Sequence, residues 1–307
     1  MLAPDALFIA ALIALTSPLP VLVAGRVVRV VGRDTVAVVG ARVILHRVTV
    51  RAPGPIDSTL SDAQGRFGFR LVPDSGVVYL VSARWSAIEY FAAPLVVHTD
   101  APIGVVTVVV SDTSASAPFT LAARHLIVSA ATAEGTRDVV DLFVLNNPGP
   151  LTRVSADTLR ATWTARLPRF AINIHGGNSE FSLESLRLNG DTVALYAAIP
   201  PGQRDIEIDY QVPPNTSRFE LPVDVSVPTS NIVSADKAMR VRGAYTRSDT
   251  VIDKKPYARW EGRMTAGQSV VLEFGSSALP TWLVPAMVGM MAAVLVGVTV
   301  RSGRNAP

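Results

Sequence analysis

The chain has 307 residues, 49% of them hydrophobic and 17% charged, with a formal net charge of +3. It contains no cysteine, which excludes disulfides, thiolate metal sites, a thiol nucleophile and a cysteine-borne lipid anchor. The arginines are scattered, with no basic run and no interleaved aromatics, so nucleic acid is not an expected partner. The length suits about two domains, and so apolar a composition calls for a search for membrane segments first.

In chain order, residues 6–15, ALFIAALIAL, are uncharged and have the length of a signal-peptide h-region. Pro18 and Pro20 break any helix behind it. Residues 1–24 are therefore expected to be a secretory signal, cut near Ala24 or Gly25. Asp5 in a leader without Lys or Arg, and bulky Leu22 ahead of the cut, keep an uncleaved anchor or a misplaced start codon open as the alternative.

Residues 61–69, SDAQGRFGF, form a polar turn followed by two aromatics two residues apart. Asp62-Ala63-Gln64-Gly65 fits a type I turn, with Asp capping the turn amides and Gly taking a left-handed conformation. Phe67, Phe69 and Leu71 share one strand face. The expectation is a hairpin pairing Ser58 to Leu60 with Phe67 to Leu71. The stretch lacks the alternating oxygen ligands of a calcium loop.

With these pieces in hand, residues 25–98 resemble the carboxypeptidase regulatory-like domain. The matching segments are Gly25-Arg26-Val27-Val28, Val39 to Leu45, Ser61 to Phe69, Gly76 to Ala83 and Ala87 to Phe91. Val39 stands where the family usually has Pro. The resemblance covers about a quarter of the chain. It implies a small transthyretin-like β-sandwich, an extracytoplasmic setting and a non-catalytic role as spacer or binder; no peptidase zinc pair accompanies it.

Residues 103–112 continue the strand pattern, which gives a first domain over 25–112, and residues 111–118, SDTSASAP, read as a joint. A second β region spans 119–275, with strand candidates at 125–131, 138–146, 159–165, 192–199, 205–212, 219–227 and 268–274. In DIEIDYQV, Ile206, Ile208, Tyr210 and Val212 alternate with Asp205, Glu207, Asp209 and Gln211, so one face is buried and one wet. Pro222 restricts its own strand to an edge or a bulge. The expected fold class is all-β, two β-sandwich domains followed by one C-terminal transmembrane helix.

Residues 281–300, TWLVPAMVGMMAAVLVGVTV, run 20 residues without a charge, long enough to cross a hydrocarbon core of about 30 Å. Trp282 stands at an interfacial position and Pro285 in the first turn. Arg301 and Arg304 follow, so residues 301–307 are expected to be a short basic cytoplasmic tail, with the body on the periplasmic or extracellular side. Gly289, Ala293 and Gly297 form a small-residue stripe suited to helix association.

Chemistry is thinly signposted. His46, His98, His125 and His175 lie far apart, with no metal-ligand spacing. There is no nucleophile elbow, phosphate loop or dinucleotide fingerprint. His175-Gly176-Gly177-Asn178 is the one candidate binding loop, its glycines serving either a turn or a close backbone approach to a ligand. Glu207 and Asp209 share a face in the manner of a carboxylate pair, though the wet face of any amphipathic strand gives the same pattern. Trp85 and Tyr90 read either as packing or as a sugar-stacking platform. No cofactor, metal or catalytic residue is expected. The sequence points to a single-pass, membrane-anchored envelope protein whose exposed domains bind or space a partner, an envelope protein or a glycan. The alternative is an accessory subunit of a membrane transport or cofactor-maturation complex.

Overall fold

Valine-rich alternating runs cut by Gly, Pro and Asp dictate strands throughout, and the computed structural model of the protein is all-β. It describes residues 20–32, 34–49, 53–74, 76–97, 105–252 and 254–274. Among them the one helical segment is a 3-10 turn at Leu183–Ser185, and no helix is long and apolar enough to cross a membrane. Residues 281–300, with Gly289, Ala293 and Gly297, lie outside the described residues, as does most of the expected leader. The chain divides into two compact units between Asp112 and Thr113.

The first unit contains β1 (Val21–Val31), β2 (Asp34–Ala37), β3 (Arg42–Val48), β4 (Gly54–Leu60), β5 (Arg66–Leu71), β6 (Val78–Trp85), β7 (Ile88–Phe91), β8 (Leu95–Val96) and β9 (Val106–Val110). One sheet is built around β1, which pairs antiparallel with β2 and β5 and parallel with β9. The other runs β4-β3-β6-β7, with β8 also on β6. Both sheets contribute to a single apolar cluster: Val23, Val27, Phe67, Phe69, Val106 and Val108 from the first, Val43, Leu45, Tyr79, Val81 and Tyr90 from the second. Each such buried side chain contributes roughly 1.5–3 kcal/mol.

β1 already runs from Val21, ahead of the boundary expected at residue 25. Val21 to Ala24 pair with Gly68 to Leu71, and Val23 is wholly buried. The turn at residues 62–65 forms as expected: Gly65 N–H donates to Asp62 O at 2.8 Å, with Gly65 at φ +72. Asp62 Oδ1 accepts from the N–H groups of Gln64 and Arg66. These bonds, first the Arg66 N–H, hold its carboxyl below the usual range. The strands it joins are not a hairpin, however. β4 pairs with β3 and β5 with β1, so the turn carries the chain from one sheet to the other. Ser61 fixes the departure, accepting from Ala41 N–H and donating to Val38 O.

The second unit contains β10 (Thr113–Ser114), β11 (Thr120–Val128), β12 (Arg137–Asn147), β13 (Thr152–Arg153), β14 (Trp163–Arg166), β15 (Ile172–Gly176), β16 (Leu186–Asn189), β17 (Thr192–Leu195), β18 (Gly202–Val212), β19 (Arg218–Pro222), β20 (Val227–Ser234), β21 (Arg240–Arg242), β22 (Tyr245–Ile252), β23 (Lys255–Met264) and β24 (Ser269–Glu273). A seven-stranded sheet runs β15-β18-β12-β11-β20-β23-β22. Two three-stranded sheets, β14-β17-β16 and β19-β24-β21, share its core. Phe143, Ile206, Tyr210, Ile232 and Trp260 from the large sheet join Trp163, Leu195, Phe219, Leu221 and Leu272 from the small ones.

The expected joint at 111–118 is narrower than its composition suggests, because Thr113 and Ser114 already pair with Thr152 and Arg153. The run 219–227 is two strands in different sheets. Pro222, without an N–H, ends β19 at the edge of its small sheet, and β20 begins the next strand of the large one.

Candidate functional site

β18 alternates as read: Ile206, Ile208 and Tyr210 are buried, which turns Asp205, Glu207 and Asp209 to the opposite face. β15 is its outer neighbour, matched at His175↔Asp209 and Gly176↔Ile208 across an irregularity in register. The chain then follows the edge of β18. Gly177 N–H donates to Glu207 O at 2.9 Å, and Ser179 Oγ donates to Asp205 O at 3.1 Å. The candidate loop and the carboxylate pair, read separately in the sequence, thus form one constellation.

Its geometry is close. Asn178 N–H donates to Glu207 Oε1 at 3.1 Å. His175 Nδ1 stands 3.7 Å from Asp209 Oδ2, with the imidazole largely exposed. A Cβ on Gly177 would lie 2.4 Å from Glu207 Oε1 and 2.8 Å from Asp209 Oδ2, so a side chain at this position would require both carboxylates to shift. Gly176 is likewise confined, by Leu183.

The electrostatics follow from burial under this loop. Desolvation raises the pKa of Glu207, opposed by the Asn178 N–H and reinforced by Asp209. It raises Asp209 too, opposed by His175 and reinforced by Asp138. Asp205 is raised in the same way, with Arg204 opposing. Asp209 Oδ1 is buried without a hydrogen-bond partner among the described residues. The strip is a half-buried acidic surface with one accessible imidazole beside Asp209. Among the described residues, no three His, Asp or Glu side chains converge as metal ligands.

The remaining residues separate by burial. Tyr90 lies in the core with its hydroxyl on Ser111 O at 2.9 Å, so it offers no stacking face. Trp85 is half-buried, its indole N–H on Asp112. His125 is half-buried, with Nδ1 3.2 Å from Asn231 Nδ2. Desolvation, with Arg259 nearby, lowers its pKa. His98 lies outside the described residues.

One grouping was invisible in the sequence. His46 Nε2 is 2.8 Å from Ser82 Oγ, and Ser82 donates to Glu89 Oε1 at 2.6 Å. The residue types suggest a nucleophile, yet Ser82 is fully buried and Glu89 contacts the serine and His46 Nε2 rather than orienting Nδ1. No substrate carbonyl reaches that hydroxyl. The signal that would have revealed it is the pairing His46↔Leu80 in β3–β6, which is long-range. A shallow cleft of about 310 Å³ in the second unit, lined by Arg166, Arg169, Phe170 and Arg218, has each arginine matched by an acid: Asp224, Asp191 and Glu220.

No protein-family model and no curated protein matches this chain. What fold and site define is an all-β protein of two units, the second carrying a loop-covered acidic strip.

Proposed function

We propose that the protein is a single-pass, membrane-anchored envelope protein whose two β-sandwich units, the first of the carboxypeptidase regulatory-like kind, stand outside the cytoplasm and bind or space a partner without catalysing a reaction. The observation that carries this reading is the 20-residue uncharged run at 281–300 ahead of Arg301 and Arg304. Such a run exchanges water for lipid, and the arginines hold its far end in the cytoplasm. Two β units with separate apolar cores ahead of it suit a spacer or binder, and the order of motif residues in 25–98 supports the transthyretin-like assignment.

The test is extraction. The full chain stays with membranes through an alkaline carbonate wash, and a chain ended at residue 274 is released as soluble protein by osmotic shock. Release of the full chain by carbonate would overturn the anchor.

A further inference from the structure

We propose that the protein forms a homodimer by antiparallel pairing of β22 with β22 of a second copy about a two-fold axis through Ser248. Among the described residues β22 is the longest edge strand, eight residues, and no strand pairs with its outer side. Natural edges are blunted by prolines, bulges, shortness or charged side chains, and the charges β22 carries, Arg247 and Asp249, are of opposite sign and so can pair across a two-fold axis rather than repel. β4 has Pro55 and an irregular register, and β15 has both an irregular register and Asn173 at φ +52. β22 has neither proline nor bulge: its register with β23 is unbroken from Tyr245↔Gly262 to Ile252↔Lys255.

The strand presents the right groups for self-pairing. In an antiparallel ladder alternate residues turn their N–H and C=O toward opposite neighbours. Tyr245 gives its N–H to Gly243 O rather than across to Gly262, and Val251 stands opposite Pro256, which has no N–H. The backbone groups of Arg247, Asp249 and Val251 therefore face the open edge. With the axis at Ser248, Arg247 opposes Asp249 of the second copy, and Asp249 opposes Arg247 of the second copy. Tyr245 opposes the second copy's Val251, and Val251 is 69% exposed in the single chain. Moving the axis by one residue either way sets Arg247 against Arg247 or Asp249 against Asp249, so the charges select one register.

In the single chain Arg247 Nη2 lies 3.6 Å from Asp249 Oδ1, both side chains well exposed, and the guanidinium carbon sits 5.8 Å from the Trp260 ring centroid. Both charges are thus held on the face where the cross-strand partners would meet them.

Sedimentation equilibrium of the full chain in detergent tests this through charge exchange. Wild type is a dimer. Arg247→Glu places Glu against Asp, and Asp249→Lys places Lys against Arg. Each alone weakens dimerisation about tenfold or more, as two symmetry-related pairs turn repulsive. An equimolar mixture of the two variants recovers the dimer, because every opposing pair in the mixed species is again of unlike charge, and the recovery shows that both are folded. The double variant also recovers it. A monomeric wild type, single variants that dimerise as wild type does, or a mixture that stays monomeric overturns the proposal.

Discussion

Arg124 and Asp141 meet in the interior of the second unit as a two-pronged ion pair, Nη2 to Oδ2 at 2.6 Å and Nε to Oδ1 at 2.9 Å. Burial is the largest influence and opposes the guanidinium charge, but Asp141, with Tyr210 and Asp224 adding to it, raises the Arg124 pKa on balance. Arg124 also reaches Pro222 O at 2.9 Å and lies 4.5 Å from the Phe143 ring centroid. Tyr210 donates its hydroxyl to Asp141 at 3.2 Å. The pair ties β11, β12, β18 and the end of β19 together.

Removing one partner strands the other charge without water. Asp141→Asn or Arg124→Met is expected to cost about 3–5 kcal/mol, and an apolar replacement of both to recover most of that. Urea unfolding of the three variants measures this. Additive losses in the double variant would show that the two residues act independently.

The acidic strip gives a pH dependence of known sign. Because the folded pKa values of Glu207 and Asp209 are raised, first by desolvation, the native state binds protons more tightly there than the unfolded chain does. Their contribution is complete below the unfolded value of about 4 and is lost as pH rises through the raised folded values. Asp209→Asn is expected to stabilise the fold at pH 7, with the gain vanishing below about pH 4. Gly177→Ala acts oppositely, forcing a methyl against both carboxylates at a cost of about 1–3 kcal/mol. Thermal unfolding across pH 3.5–8, a range chosen to bracket about pH 4 and neutrality, separates the two effects.

His125 has the reverse sign. Its folded pKa is lowered from 6.5 by desolvation, with Arg259 adding to it, so its contribution is present above 6.5 and is lost as pH falls toward the folded value. His125→Gln keeps an acceptor for Asn231 and is expected to flatten the stability curve as pH falls below 6.5. An unchanged slope in urea unfolding would remove His125 from the account.

Because Val23 is wholly buried and Val21 to Ala24 pair with β5, processing after Ala24 would strip four residues from β1. The mature N-terminus is therefore expected before Val21, read by intact mass of the purified chain. Val23→Asp should cost about 3–5 kcal/mol through an unpaired buried charge.

What the sequence made legible was local. The alternation in β18, the turn at Asp62 to Gly65 and the edge role of Pro222 each depend on a few neighbouring residues, and each is present. Sheet partners were not legible: the same turn chemistry serves a hairpin or a crossing between sheets, and the crossing is decided by which distant strands β4 and β5 meet. β22 carries little sequence signal, because it is exposed on most positions and lacks an apolar face. The site was half visible. His175 to Asn178 and Glu207 with Asp209 each stood out, but their union depends on β15 lying beside β18, with about thirty residues between them in the chain.

The central claim, a body outside the membrane held by one late span, is tested most directly by protease treatment of intact spheroplasts carrying a C-terminal tag. The account predicts digestion of the body with survival of a tagged fragment of about three kilodaltons, the mass of roughly 20 membrane-embedded residues and a short tail. A tag destroyed by external protease, or a full-length chain left untouched until the cells are lysed, would contradict it.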